Sequence, residues 1–337
     1  MHIVGFSEEM WLKCYREIMT NKILTISIAA YNSERFIKSC LDSLIACKDR
    51  DRLEILVIDD GGIDSTLEIA NKYASEYRNI IYPVHKENGG WGSTVNYSIQ
   101  HANGKYFKIL DADDMFVTEH IDGYIKFLEE RDEDLIITPY IEHNVKDGKS
   151  TFVADKMLQM HSFTVRTDVL RYNELRLLEK CYYTDIEYVF KVLSFINTYQ
   201  NYNEAIYLYN IGYAQQSVNY KQFISHIDEH EKVCKRVIEI YDAIKEKNLC
   251  IEKNKVLERL LELVNKHYSI LFMLKTSRIS LDRILEFSDY IAGYEFLNKR
   301  INLKRIKLVN ICNFLYYPVS IVLHLRSAIY RILKFEV

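Results

Sequence analysis

The chain has 337 residues, of which 48% are hydrophobic and 27% are charged, and its formal net charge is −3 at pH 7. This length allows one large and one smaller domain, and three prolines and eleven glycines argue against a disordered or loop-rich protein. The small net charge gives no general reason to expect a nucleic acid partner. The seven cysteines have no C-x-x-C spacing, so neither a zinc site nor a disulfide framework is indicated, and a reducing, cytoplasmic setting is expected.

The first 110 residues predict alternating strands and helices. Continuous apolar runs, rich in β-branched residues, predict buried strands at 23–30, 53–58, 80–84 and 106–110. Segments with the apolar spacing of helices lie between these runs. The alternation predicts an α/β fold built on a doubly wound, mostly parallel sheet.

Each predicted strand ends in polar or glycine-rich residues. They are Tyr31-Asn32, Asp59–Gly62, Asn88–Gly90 and Asp111–Asp114. Since the carboxyl ends of parallel strands share one edge of a sheet, these residues predict a crevice of nucleotide size. A dehydrogenase would need G-x-G-x-x-G directly after the first strand, and neither this motif nor a P-loop is present in the sequence.

Three aspartates within four residues, Asp111, Asp113 and Asp114, follow the fourth strand. Clustered carboxylates repel one another unless a cation or a helix N-terminus offsets their charge. One interpretation is a site for Mg²⁺ or Mn²⁺, shared with a phosphate group. The other is a helix N-cap formed by Asp113 or Asp114. The absence of a glycine-rich phosphate loop favours the metal.

Four ordered motifs between about residues 22 and 218 resemble the family 2 glycosyltransferases of the GT-A fold, of the bacterial surface-polysaccharide type. The motifs are residues 28–34, residues 57–66, Asn88-Gly89-Gly90 with Asn96, and residues 104–114. Two departures are Gly62-Ile63, where the family usually has Ser-Thr, and Val95, where many members carry Arg.

The resemblance implies an inverting transfer of a sugar from a nucleoside diphosphate, most often UDP, to a hydroxyl of a glycan or lipid-linked glycan, with Mn²⁺ or Mg²⁺ as cofactor. It implies a set of nucleotide-sugar-binding residues, of which Asp113 and Asp111 would also serve the metal: Ala30, Tyr31, Glu34, Asp60, Asn88, Gly89, Asp111 and Asp113. Two other classes of protein would also have a nucleotide-sized crevice at this edge of the sheet. One is a non-catalytic sugar-nucleotide-binding scaffold, and the other is a nucleotidyltransferase, which usually has a basic, glycine-rich phosphate loop after the first strand.

Asp185 and Glu187 open a predicted apolar helix and are candidates for the general base. The spacing alone favours first-turn acids that stabilise the helix N-terminus. Members of the resembled family commonly carry the catalytic carboxylate in such an acidic segment after aromatic residues. The resemblance therefore favours Asp185 as base, with Glu187 as the alternate.

Three further residues are candidates for acceptor or diphosphate contacts. Trp91 would stack on a sugar or pack in the core. His161, which precedes the strand-like run Phe163–Arg166, would contact the acceptor or diphosphate or be structural. Gln216 would offer a neutral hydrogen bond near the position where the family often carries a basic residue.

The second half of the chain predicts helices with buried apolar stripes. We expect a catalytic domain at 1–218 and a helical region at 219–337. A segment at about 300–337 is rich in Lys and Arg around an apolar stretch that polar residues interrupt. It predicts either a helix on an anionic membrane surface, on the inner face of the cell membrane, or a helix docked on the catalytic domain or on a second subunit of a homo-oligomer.

Overall fold

The structure is a computed structural model that describes residues 21–154, 158–213, 220–274, 278–298 and 300–301. These residues fall into two compact units: the first contains those up to 213 together with 248–251, and the second contains those from 220 to 247 and from 252 onward. The domain boundaries expected from the sequence stay a prediction. Gln216 and the basic segment after 301 lie outside the described residues.

Eleven strands occur in the described part of the first unit. They are β1 (Leu24–Ala30), β2 (Leu53–Asp60), β3 (Ile81–Lys86), β4 (Tyr106–Asp111), β5 (Met115–Phe116), β6 (Leu135–Ile137), β7 (Tyr140–Asn144), β8 (Ser150–Val153), β9 (Phe163–Arg166), β10 (Tyr199–Asn201) and β11 (Tyr207–Ile211). Four of them lie where the apolar runs predicted strands.

A seven-stranded sheet has the order β10-β6-β9-β4-β1-β2-β3. Strands β3, β2, β1 and β4 are mutually parallel, and β9 runs antiparallel to both of its neighbours. This arrangement confirms the predicted α/β fold with a mostly parallel sheet. Strands β1, β2 and β4 are buried along almost their whole length, which explains their continuous apolar sequences.

Helices connect the strands of the first unit. They are α1 (Ile37–Ile45), α2 (Thr66–Glu76), α3 (Trp91–His101), α4 (Thr118–Glu129), α5 (Thr167–Tyr172) and α6 (Thr184–Phe195). The apolar faces of α1 and α4 join β1, β2 and β4 in one hydrophobic core. This core fixes the ends of the parallel strands, where the candidate site lies.

A second, four-stranded sheet has the order β5-β11-β7-β8. Strand β11 pairs in parallel with β7 and antiparallel with the two-residue strand β5. The sequence did not predict this sheet, because its strands are short and mix polar with apolar residues. It places β11 next to the turn that follows β4.

The second unit is helical in its described part, as the sequence predicted. Its helices are α7 (Tyr220–Ser225), α8 (Ile227–Ile244), α9 (Lys253–Leu271), α10 (Arg278–Ala292) and α11 (Glu295–Asn298). The predicted stripes are largely buried, for example Val233 and Val237 on α8 and Leu260 and Val264 on α9. Among the described helices, none combines the length and the apolar character that crossing a membrane requires.

Lys108 lies in the middle of β4 and is fully buried. Its Nζ donates hydrogen bonds to the carbonyl oxygens of His161 at 2.7 Å and Phe163 at 3.2 Å. Burial lowers the pKa of Lys108 to about 7, because the charged ammonium loses its water. A lysine in a buried strand therefore serves as a hydrogen-bond donor that holds the segment around His161.

We expect Lys108→Met to reduce the pH dependence of stability. Between about pH 7 and pH 10 the unfolded chain keeps a proton that the folded chain releases from Lys108, so this group makes folding more favourable as the pH rises. The free energy of unfolding of the wild type should gain about 2 kcal/mol over the variant between about pH 7 and pH 9. Urea denaturation at the two pH values measures this gain.

The control is Lys126→Met, which removes an exposed lysine of α4. Its pH dependence should match that of the wild type. Equal slopes for Lys108→Met and the wild type would contradict the lowered pKa.

Candidate functional site

The carboxyl ends of β1, β2 and β4 lie side by side. Ala30 pairs with Asp59 across β1 and β2, and Ala29 pairs with Asp111 across β1 and β4. The polar residues that follow the strands therefore share one edge, as the sequence predicted.

The loops after β1 and β2 hold each other through hydrogen bonds. The Glu34 backbone N–H donates to Asp64 Oδ2 at 3.0 Å, and the Ser65 N–H donates to Glu34 Oε2 at 3.0 Å. Ala30 is buried beneath this pair of loops, whereas Tyr31 is 56% exposed. Glu34 thus shapes the loop, and Tyr31 is the member of this group whose ring is accessible to a ligand.

The carboxylate of Asp60 lies beneath the loop of Asn88 and Gly89. It accepts hydrogen bonds from the N–H groups of Gly89 at 2.9 Å and Gly90 at 2.7 Å, and Lys86 Nζ approaches it at 2.6 Å. Asn88 Nδ2 donates to the Asp60 carbonyl oxygen at 2.9 Å. Gly90 has φ +79°, in the left-handed region that favours glycine. Asp60 therefore organises the loop, and its predicted contact with the nucleotide stays a prediction.

Asp114 is an anchor between the two sheets and not a helix cap. Its carboxylate is buried and accepts hydrogen bonds from the Tyr207 hydroxyl at 2.6 Å and the Asn210 N–H at 2.8 Å. Helix α4 begins at Thr118 with Val117 as its N-cap, so the N-cap interpretation of Asp113 and Asp114 is wrong.

Asp111 is half-buried and is oriented by Trp91. The indole Nε1 donates to Asp111 Oδ1 at 2.7 Å, and the Asp111 N–H donates to the Tyr207 hydroxyl oxygen at 3.1 Å. Burial and the neighbouring charge of Asp113 raise the pKa of Asp111 to about 7, and Asp185 adds to the shift. Trp91 thus has a positioning role, whether or not it also touches a sugar.

Three of these groups form a candidate metal site. Ligand atoms of Asp111, Asp114 and His161 lie within 4.8 Å of one another. Carboxylate oxygens with one imidazole suit Mn²⁺. Burial and then the neighbouring carboxylates raise the pKa values of Asp111 and Asp114, and a cation would offset this repulsion. Of the ligand pair expected from the sequence, Asp111 belongs to this group. Asp113 stands beside it, half-buried, and its role as a ligand stays a prediction.

His161 is buried among tyrosines of the four-stranded sheet. Its ring centroid lies 4.8 Å from that of Tyr207 and 4.2 Å from that of Tyr209. Burial, and then the charges of Asp114, Asp111, Asp185 and Asp113, raise the pKa of Tyr209.

Sequence reasoning missed four of the residues that support the site. They are Lys108, Tyr207, Tyr209 and Asn210. A lysine inside an otherwise apolar strand was the available signal for the first. The other three lie on β11, whose position depends on pairing with distant strands.

Asp185 and Glu187 both lie in the first turn of α6, but their carboxylates have different surroundings. Glu187 is fully buried; its Oε2 accepts a hydrogen bond from the Leu178 N–H at 3.0 Å, and its Oε1 pairs with Lys191 Nζ at 3.1 Å. Asp185 is half-buried, and its charge acts on Asp111 and Tyr209. The charge of Asp185 therefore acts on the carboxylate cluster, whereas Glu187 stabilises the chain before the helix.

The segment leading to α6 is attached to α3 and to the preceding glycine loop. Asn96 Oδ1 accepts from the Leu177 N–H at 2.8 Å, and Asn96 Nδ2 donates to Glu179 Oε1 at 3.1 Å. The Lys180 N–H donates to the Gly89 carbonyl oxygen at 2.6 Å. These bonds link the loop at Gly89 to the segment that carries Asp185.

Comparison with known sequences gives a family match within the first unit. Residues 25–182 match the sequence model of Glycosyl transferase family 2. An uncharacterized glycosyltransferase of Mycoplasma genitalium, MG060, is 33% identical over 121 residues, which cover 35% of this chain and 41% of that protein. The poly(ribitol-phosphate) beta-glucosyltransferase of Bacillus spizizenii is 34% identical over 116 residues, which cover 34% of this chain and 18% of that protein. The match thus spans less than half the length of these curated relatives.

Comparison with solved structures extends over both units. Residues 1–349 of S. aureus TarS, in complex with UDP-GlcNAc, superpose with a TM-score of 0.67 at 19% identity, covering 92% of this chain and 91% of that one. At this identity the likeness shows a shared fold. It confirms the predicted GT-A-like architecture with a helical C-terminal region.

We expect Tyr207→Phe to destabilise the protein by about 1–3 kcal/mol, because a buried carboxylate loses a hydrogen-bond donor. Thermal or urea unfolding measures the change. Tyr202→Phe is the matched control, since its hydroxyl donates to the exposed Glu204 carboxylate at 2.9 Å, and it should change stability by less than about 0.5 kcal/mol. Similar losses in both variants would contradict the anchoring role of Tyr207.

Proposed function

We propose that the chain is a member of glycosyltransferase family 2, whose sequence model matches residues 25–182, and that it transfers a sugar from a nucleoside diphosphate to an acceptor hydroxyl with inversion at the anomeric carbon. One observation carries the proposal. Ligand atoms of Asp111, Asp114 and His161 converge at the carboxyl edge of the parallel sheet, and the charge of the half-buried Asp185 acts on Asp111 there. In the proposed mechanism, the cation and the departing diphosphate would lie at this edge of the sheet, and Asp185 would act on the acceptor from the opposite side.

UDP is the proposed nucleotide. Tyr31 offers an exposed ring next to the buried Ala30 on the loop after β1, and the loop at Asn88 and Gly89 is held rigid by Asp60. A ring and a preorganised backbone suit a nucleoside diphosphate. The solved complex of TarS with UDP-GlcNAc, which shares the fold, supports a UDP-sugar as the first donor to test.

A divalent cation, Mn²⁺ or Mg²⁺, would be held by Asp111 and Asp114 with His161, and Asp113 stands beside this group. When bound, such a cation neutralises negative charge on the departing diphosphate. Two hydrogen bonds hold the candidate ligands in place: Trp91 orients the Asp111 carboxylate, and the Tyr207 hydroxyl fixes the Asp114 carboxylate.

Asp185 is the proposed general base. It accepts the proton of the acceptor hydroxyl, whose oxygen attacks the anomeric carbon on the face opposite the leaving nucleotide. Glu187 is unsuited, because its buried carboxylate already binds the Leu178 N–H and Lys191.

The proposed acceptor is a glycan or a lipid-linked glycan of the cell surface. The name of one relative, a glucosyltransferase acting on poly(ribitol-phosphate), supports a surface polymer. Association of the basic 300–337 segment with an anionic membrane would bring the enzyme to such an acceptor.

Asp185→Asn should bind the donor with near-normal affinity and lose turnover by about 10²–10⁴-fold, the usual contribution of a general base. The assay screens UDP-sugars, follows UDP release with and without candidate acceptors, and measures donor binding by calorimetry. Absence of turnover with every donor, despite donor binding, would favour the non-catalytic scaffold, and pyrophosphate release would indicate a nucleotidyltransferase.

Glu187→Gln is the matched control for the base. It should lower stability, because a buried ion pair with Lys191 is lost, while the folded fraction keeps turnover well above that of Asp185→Asn. Near-normal turnover of Asp185→Asn would show that another residue acts as the general base.

Removal of divalent metal should abolish transfer, since two carboxylates and an imidazole converge where the diphosphate is proposed to bind. EDTA treatment followed by titration with Mn²⁺ or Mg²⁺ measures this. His161→Asn should raise the metal concentration needed for half-maximal activity, whereas His101→Asn, at an exposed position of α3, should not. Transfer that persists in EDTA would refute the metal role.

A further inference from the structure

Two histidines and a cysteine meet in the interior of the helical unit. His230 and Cys234 are four residues apart on one face of α8, and His267 lies on α9. All three are buried, with exposed fractions of 2% for His230 and 0% for His267. The cysteine spacing in the sequence gave no sign of this group, because its members come from two helices.

The separations of the ligand atoms fit a tetrahedral metal site. His230 Nδ1 lies 3.4 Å from Cys234 Sγ and 3.2 Å from His267 Nδ1, and one ligand atom of each residue lies within 4.8 Å of the others. Zinc bonds of about 2.0–2.1 Å to nitrogen and about 2.3 Å to sulfur place tetrahedral ligands about 3.3 Å (N to N) and about 3.6 Å (N to S) apart.

A carboxylate stands behind one of the histidines. Glu231 Oε2 lies 3.8 Å from His267 Nε2, on the ring edge away from Nδ1. Lys235 Nζ at 2.7 Å and Arg283 at 3.4 Å hold this carboxylate. A metal-bound histidine commonly directs its second ring nitrogen at a carboxylate, which leaves the first nitrogen unprotonated for the metal.

Apolar side chains surround the group. The ring centroid of Phe287 lies 4.4 Å from that of His267, and that of Phe223 lies 6.0 Å from that of His230. Such a shell limits access of water, and a thiolate with imidazoles selects zinc over Mg²⁺ or Mn²⁺.

We propose that His230, Cys234 and His267 bind one Zn²⁺ ion through two imidazole nitrogens and a thiolate. The fourth position takes water or another small ligand, as in sites with three protein ligands. Binding releases the thiol proton of Cys234 to solvent as the sulfur–zinc bond forms. This site is separate from the proposed transferase site and does not depend on it.

The test measures zinc in the purified full-length protein by mass spectrometry, after exposure to ZnCl₂ and removal of loosely bound metal on a chelating column. We expect one zinc ion per chain in the wild type. Cys234→Ser and His267→Asn should each retain only a small fraction of this zinc. The proteins are also loaded with Co²⁺. Co²⁺ bound to a thiolate shows a charge-transfer absorption band, whereas Co²⁺ bound to carboxylates does not.

Cys40→Ser is the matched control. Cys40 is equally buried and its Sγ lies 4.0 Å from the carbonyl oxygen of Asp111, next to the other candidate metal site. This variant should keep both the zinc and the charge-transfer band. Wild-type protein that retains no zinc and shows no such band would overturn the proposal and leave a hydrogen-bonded polar cluster. Equal zinc in the wild type and Cys234→Ser would also overturn it. If Cys234→Ser fails to fold, the Co²⁺ spectra of the wild type and Cys40→Ser still decide.

Discussion

The buried carboxylate of Asp114 connects the two sheets on which the candidate site is built. It lies at the end of the turn after β4, and its two oxygens bind the Tyr207 hydroxyl and the Asn210 N–H of β11. A buried charge is costly unless hydrogen-bond donors surround it, so the aspartate requires β11 at this position. The placement of Tyr209 and His161 near Asp111 follows from that requirement.

The acidic residues of the site divide by how their oxygens are used. Asp60, Asp114 and Glu187 are buried, and their carboxylates receive hydrogen bonds from backbone, hydroxyl or ammonium groups of the protein. Asp111 and Asp185 are half-buried and close enough to affect each other electrostatically. Asp60 and Glu187 hold loops and the chain before α6 in place, and Asp114 both joins the two sheets and belongs to the candidate metal group. Asp111 and Asp185 are the residues to which the proposed mechanism assigns chemistry. Sequence alone treats all of them as similar carboxylates near strand or helix ends.

The sequence predicted the parallel part of the fold because each of these strands is marked by a short segment of sequence that can be recognised without knowing its partners. A buried parallel strand needs a continuous apolar run, and β1, β2, β3 and β4 have one. The four-stranded sheet depends on pairing between segments far apart, such as β7 with β11, and its short strands carry polar residues.

The same reasoning explains which contacts of the candidate site could be expected from the sequence. Asp111 and Asp185 were identified from motifs, and the structure places them near each other. The anchoring of Asp114 by Tyr207 spans 93 residues of sequence, so a local interpretation mistook a link between sheets for a helix cap. The convergence of His161 with Asp111 and Asp114 likewise depends on tertiary packing around Lys108.

The hydrogen bond from Lys180 to Gly89 has a consequence for how donor and acceptor specificity can change. The loop that faces the proposed donor and the segment that carries Asp185 share this bond and those of Asn96. A substitution that reshapes the loop for a different sugar would therefore also displace Asp185, the proposed base. In such an enzyme the two specificities are mechanically linked, and new sugar–acceptor combinations would require paired changes on both sides of the crevice.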